Sequence, residues 1–139
     1  YIAGMGFSNV GLGIVHSMAH QLGAVYDTPH GLANAILLPT VMRYNGQDSE
    51  TAQRFREILI NIGRPDAAHL NDQDVINTFV WKISELSKEV GITQTIKDVG
   101  AKEEDFGMLA DKAMEDPCKP GNPREVSRED FIELYRQAM

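Results

Sequence analysis

Cysteine is nearly absent from this chain. Cys118 stands alone among 139 residues, so no internal disulfide can form, and the expectation is a reducing, cytoplasmic compartment. Long apolar runs are missing too: no stretch approaches the roughly 20 residues that span a bilayer. No cationic segment followed by an apolar run and a small-residue cleavage site marks a secretory signal. Basic charge is in deficit, with 13 Lys and Arg against 20 Asp and Glu, a net charge of −7. That balance disfavours nucleic acid, whose phosphates demand a basic footprint, and disfavours docking on an anionic membrane. We take the acidity as a solubility feature. Repeats, low-complexity tracts and alternating β-branched segments are also lacking, so nothing reads as a strand. Finally, there is no initiator Met. The chain opens on Tyr1-Ile2-Ala3-Gly4 directly before a strongly apolar segment, which reads as a piece of something longer.

What remains is helical. A first helix is expected from about Ser8 or Asn9, a suitable N-cap pair, to Leu22, with Gly23 as its stop. Val10, Leu12, Ile14, Val15, Met18, Ala19 and Leu22 make it apolar nearly all round, the pattern of a buried helix. Gly11 and Gly13 each weaken a helix by about 1 kcal/mol relative to Ala, and close approach by a neighbouring backbone is the expected compensation. A second apolar helix runs from about His30 to Tyr44, bent at Pro39. Amphipathic helices follow at about Ser49 to Ile62 and Asp72 to Val90, the latter with Asn71 as N-cap. Val75, Phe79, Ile83, Leu86 and Val90 form its inward stripe. A turn over Thr95 to Val99 precedes a shorter helix over about Asp105 to Met114. Asp116 to Arg124 is too rich in Pro and Gly to be other than loop. Ser127 with Asp130 three residues on resembles a capping box and opens the last helix, to about Met139. The fold class is therefore all-α, a bundle of about six or seven helices, with two apolar helices in the middle.

Three of the four histidines fall within 15 residues: His16, His20 and His30. His16 and His20, four apart, share one helix face with Cβ atoms roughly 5–6 Å from each other. Neutral imidazole is the commonest side-chain ligand of transition metals and titrates near neutral pH. Imidazoles on an apolar helix are costly to bury unless a metal or a hydrogen bond satisfies them. The blander alternative is three core histidines bonded to carbonyls; the closeness of the three, with Pro29-His30-Gly31 at a helix start, favours the metal. Spacing alone leaves the ligand set open. A zinc peptidase pattern is disfavoured, because Ser17 and Met18 stand where that motif needs its Glu. His69, in a polar linker, reads as a surface residue.

Residues 11–23 (GLGIVHSMAHQLG) and 28–39 (TPHGLANAILLP) resemble the signature of the iron-containing, group III alcohol dehydrogenases, and most the lactaldehyde/1,2-propanediol oxidoreductase branch. Cys118-Lys119-Pro120-Gly121-Asn122-Pro123-Arg124 before a terminal helix is similar to that family's C-terminus, so the likeness spans essentially the whole chain. The resemblance implies that His16 and His30 are metal ligands and that His20 lies beside the metal with a part in proton transfer. It also implies that Phe7 and Cys118 line the substrate pocket. Residues 1–139 then form the C-terminal all-helical metal-binding domain of an oxidoreductase that holds Fe²⁺, with Zn²⁺ as the alternative. Its partners would be NAD(P), bound mainly by an N-terminal domain, and a small alcohol or aldehyde; intact relatives are commonly homodimers. Family members complete the ferrous site with an Asp-x3-His segment that this sequence lacks, and Gly4-Met5-Gly6 is too short for a dinucleotide fingerprint. The isolated piece is thus expected to be inactive. Two alternatives stand beside this reading. A stand-alone metal-binding or interaction module would use the first two helices as a docking surface. The dehydroquinate synthase and glycerol dehydrogenase types fit the Pro29–Pro39 run less well.

Overall fold

The computed structural model describes residues 1, 2, 4–6 and 11–139. The expected caps Ser8 and Asn9 and the expected pocket residue Phe7 lie outside the described residues. From Ile14 onward six α-helices follow in order: α1 Ile14–Tyr26, α2 His30–Asn45, α3 Ser49–Asn61, α4 Asp72–Glu89, α5 Phe106–Glu115 and α6 Arg128–Gln137. Short 3₁₀ turns intervene at Pro65–His69, Glu103–Asp105 and Lys119–Gly121. No strand occurs among the described residues. The all-α expectation holds.

Helix α1 departs from expectation at both ends. Gly13 is its N-cap in extended conformation, so Gly11 and Gly13 precede the helix rather than weaken it. Gly11 has φ +82°, a conformation L side chains rarely adopt. A Cβ on Gly13 would stand 3.1 Å from Asn122 Oδ1, a side-chain atom rather than the backbone expected there, and one on Gly11 would meet nothing within 4 Å. Gly23 does not stop the helix, which runs on to Tyr26. The stop comes from Asp27, whose left-handed φ of 53° turns its N–H onto the Leu22 carbonyl; Asp visits that region more readily than most residues. The chain then re-enters a helix at once, with Pro29 as N-cap and His30 as the first residue of α2.

The main core joins α1, α2, α5 and α6. Ile14, Met18 and Leu22 of α1, Leu37 and Val41 of α2, Phe106 and Leu109 of α5, and Phe131 and Tyr135 of α6 are all buried. Burying a side chain of this size is worth about 1.5–3 kcal/mol, so this cluster fixes α1 and α2 against each other. Tyr135 donates its hydroxyl hydrogen to the Met18 carbonyl at 3.1 Å, and burial pushes its phenol pKa up. A second, smaller cluster of Phe55, Leu59, Ala67 and Val75 joins α3 to α4, with the Phe55 and Phe79 rings stacked at 4.0 Å. The inward stripe expected on α4 holds only at its start. Val75 is buried, whereas Leu86 and Val90 are 60% and 64% exposed, because the periodicity outlasts the neighbours that cover it. Ser127 and Asp130 make the full capping box at the start of α6.

Candidate metal centre

Helix α1 carries His16 and His20 one turn apart, and the tight Asp27–Pro29 connection returns the chain so that His30 arrives at the same place. The ring centroids of His16 and His30 are 5.4 Å apart, those of His20 and His30 5.4 Å, and those of His16 and His20 6.1 Å. The helix-turn-helix therefore brings the three imidazoles together, and His69 stays exposed elsewhere.

Each ring is held differently. His30 Nε2 accepts from Asn34 Nδ2 at 3.1 Å, while the same amide nitrogen donates to the His30 carbonyl at 2.8 Å. An amide nitrogen can only donate, so His30 Nε2 carries a lone pair rather than a hydrogen, as a metal ligand must. Asn34 Oδ1 is buried without a partner. His16 makes no hydrogen bond through its ring to a described residue. Burial, followed by the neighbouring His30 and His20 rings, lowers its pKa, with Asp116 opposing. His20 Nδ1 lies 2.8 Å from Asp116 Oδ2.

Asp116, in the loop after α5, was not singled out from sequence. Its side chain is 7% exposed against 38% for His20. Its Oδ1 accepts the Cys118 N–H at 2.9 Å, and Gln21 Nε2 stands 3.5 Å from Oδ2. Burial raises its pKa, but the hydrogen bonds from His20 and from the amide and thiol of Cys118 outweigh this and hold the carboxyl below its ordinary value. The Cys118 thiol is correspondingly pushed up, by burial and by its bond to Asp116. The expected pocket residue Cys118 thus lies beside His20, half-buried.

The tightest set of metal-capable atoms among the described residues is His20, Asp116 and Cys118, within 4.8 Å of one another. These three already satisfy each other by hydrogen bonds, and a cation there would have to break them. His16 makes no ring hydrogen bond to a described residue, and at His30 a cation would displace only the Asn34 amide from Nε2. The chemistry of that pair, two imidazole nitrogens brought together from two helices, fits a divalent transition metal.

The loop after Cys118 is pinned beneath the site. Asn122 and Asn45 exchange amide hydrogen bonds, both at 2.9 Å, and Asn122 Nδ2 also donates to the Arg124 carbonyl at 2.7 Å. Arg124 lies 3.8 Å over the Tyr44 ring and donates to the Tyr44 carbonyl at 2.8 Å. A side chain at Gly121 would collide with the Leu12 backbone, so this position admits only glycine. A mainly apolar cleft of about 480 Å³ opens beside His16, bounded by Leu38, Met42, Phe55 and Asn122 among others.

The model of the Fe-containing alcohol dehydrogenase family, C-terminal, matches residues 1–139. A lactaldehyde reductase of Escherichia coli is 49% identical over 138 residues, and a 1,3-propanediol dehydrogenase of Citrobacter freundii is 42% identical over 137. Each match takes in 99% of this chain and 35% of the relative, so the chain spans about a third of the length of these curated relatives. Among solved structures, an alcohol dehydrogenase from Oenococcus oeni superposes with a TM-score of 0.90 at 40% identity, covering 99% of this chain and 35% of that one. A 1,3-propanediol oxidoreductase superposes with a TM-score of 0.84 at 40% identity, over 92% of this chain and 33% of that one. With a helix-turn-helix that gathers three histidines, and a family model matched from first residue to last, this chain belongs to the iron-containing alcohol dehydrogenase family, whose C-terminal region it represents.

Proposed function

We propose that residues 1–139 form the metal-binding helical domain of an NAD(P)-dependent, iron-dependent alcohol dehydrogenase that interconverts small primary alcohols or diols and aldehydes. The observation that carries this reading is the convergence of His16, His20 and His30 from two helices on one place. The names of the similar enzymes, lactaldehyde reductase and 1,3-propanediol dehydrogenase, support the substrate class.

His16 and His30 would hold the metal, Fe²⁺ or alternatively Zn²⁺, through their ring nitrogens. When bound, such an ion supplies Lewis acidity at an alcohol or aldehyde oxygen. His20, the most solvent-open member of the His20–Asp116 pair, would accept the hydroxyl proton as hydride leaves for the nicotinamide, and pass it to water. The apolar cleft beside His16 would offer the substrate a mainly apolar wall, and Cys118 and Phe7 would line its approach. Two imidazoles are half a coordination shell. The remaining ligands and the nicotinamide site would come from the rest of the polypeptide, in a cytoplasmic homodimer with no nucleic-acid or membrane partner. No helix among the described residues is long and apolar enough to cross a membrane. The alternative of a docking module on the first two helices would rest on the cleft beside His16, since Ile14, Met18, Leu22, Leu37 and Val41 are fully buried.

The test is iron content in the full-length protein. His16→Ala and His30→Ala should each abolish iron retention, whereas His20→Ala should keep the metal and lower turnover. Unchanged iron in the His30 variant would sink the assignment.

A further inference from the structure

We propose that Asp116 is a positioning residue that locks the His20 imidazole in one tautomer and one orientation, with Nδ1 protonated and Nε2 free; the consequence for turnover rests on the dehydrogenase reading above. A carboxylate can only accept hydrogen bonds, so the 2.8 Å contact with Asp116 Oδ2 places the hydrogen on His20 Nδ1. Nε2 is then the ring nitrogen with a lone pair, the atom that can take a proton from a hydroxyl. Free neutral histidine prefers the opposite tautomer, with the hydrogen on Nε2. Without Asp116 the ring would present a donor where an acceptor is needed.

The carboxylate is itself held in place. The Cys118 N–H fixes Oδ1 at 2.9 Å, and α1 contributes the Gln21 amide, 3.5 Å from Oδ2 and tethered to the Ser17 carbonyl at 3.0 Å. The loop that carries Asp116 is anchored six residues on by the reciprocal Asn45–Asn122 amides. His20 therefore does not rely on its own rotamer preference. It is gripped from a segment 96 residues away in sequence. The arrangement follows the general logic by which a buried carboxylate orients a histidine base and stabilises the imidazolium that forms when it accepts a proton. The proton taken by Nε2 leaves to solvent from the same atom, and Nδ1–H stays on Asp116 throughout.

Two measurements on the full-length protein test this. The first is ¹⁵N NMR of the metal-free, histidine-labelled protein at alkaline pH, with His20 assigned by its loss in His20→Ala. The wild type should show the Nδ1–H tautomer, and Asp116→Ala should shift His20 toward Nε2–H. The second is steady-state turnover of the iron-loaded protein. The near-isosteric Asp116→Asn should lower kcat about 10- to 100-fold while leaving iron content and KM for cofactor unchanged. In a His20→Ala background the same change should alter kcat by less than about twofold, because the two residues act as one unit. An Nε2–H tautomer in the wild type, or an equal loss on adding Asp116→Asn to His20→Ala, would overturn the proposal. If the Nδ1–H tautomer is found but the wild type oxidises no alcohol, the positioning stands and the dehydrogenase reading fails.

Discussion

The half of the molecule built from α1, α2 and the 116–124 loop differs from the half built from α3 and α4 in how far its contacts reach along the chain. In the first, the decisive bonds join residues 77 to 117 positions apart: Asn45 with Asn122, His20 with Asp116, Tyr135 with Met18. In the second, the bonds are local. Arg56 reaches the carbonyls of Ala67 and Leu70, 11 and 14 residues on, and Asp48 caps its own helix through Thr51. The site sits wholly in the long-range half. Chemistry that must hold three imidazoles within a few ångströms is placed where the fold is cross-braced, while the other half serves as amphipathic cover.

Core truncations break this comparison most sharply. Phe131→Ala empties the core behind α1 and should cost about 3–5 kcal/mol, with loss of iron retention because α1 can no longer be held. Leu59→Ala, in the second cluster, should cost about 2–5 kcal/mol and leave iron content intact. Urea unfolding together with metal analysis of both variants checks the pair; iron loss in Leu59→Ala would show that the halves are not separable. Asn122→Ala is a smaller lesion. It strips the buried Asn45 amide of its partner, for about 1–3 kcal/mol, and by loosening the loop it should also reduce turnover in the full-length protein. Smaller still, Ser127→Ala removes the capping box of α6 for about 1 kcal/mol with no change in turnover, measurable as a lowered urea midpoint.

The same division explains what could be read from the sequence. His16, His20 and His30 were legible because their signal is local: helical spacing for two, and a Pro-His-Gly start of the next helix for the third. The capping box at Ser127 was legible for the same reason. Asp116 was not. It is one of 20 acidic residues, in a loop defined by its prolines, and nothing near it in sequence points to a histidine 96 positions earlier. Gly23 mimics a helix stop in the sequence because glycine often ends helices. Here Asp27 supplies the left-handed residue instead, and the four added residues, 23–26, carry α1 to the turn that delivers His30. The α4 stripe was over-read at Leu86 and Val90, since periodicity reports a face but not how much of it is covered.

The central claim is that His16 and His30 share one cation. Anomalous diffraction at the iron edge, from crystals of the full-length protein, addresses it most directly. The account predicts a single peak bounded by the His16 and His30 rings, with His20 Nδ1 still on Asp116. A peak enclosed by His20, Asp116 and Cys118 instead would contradict it.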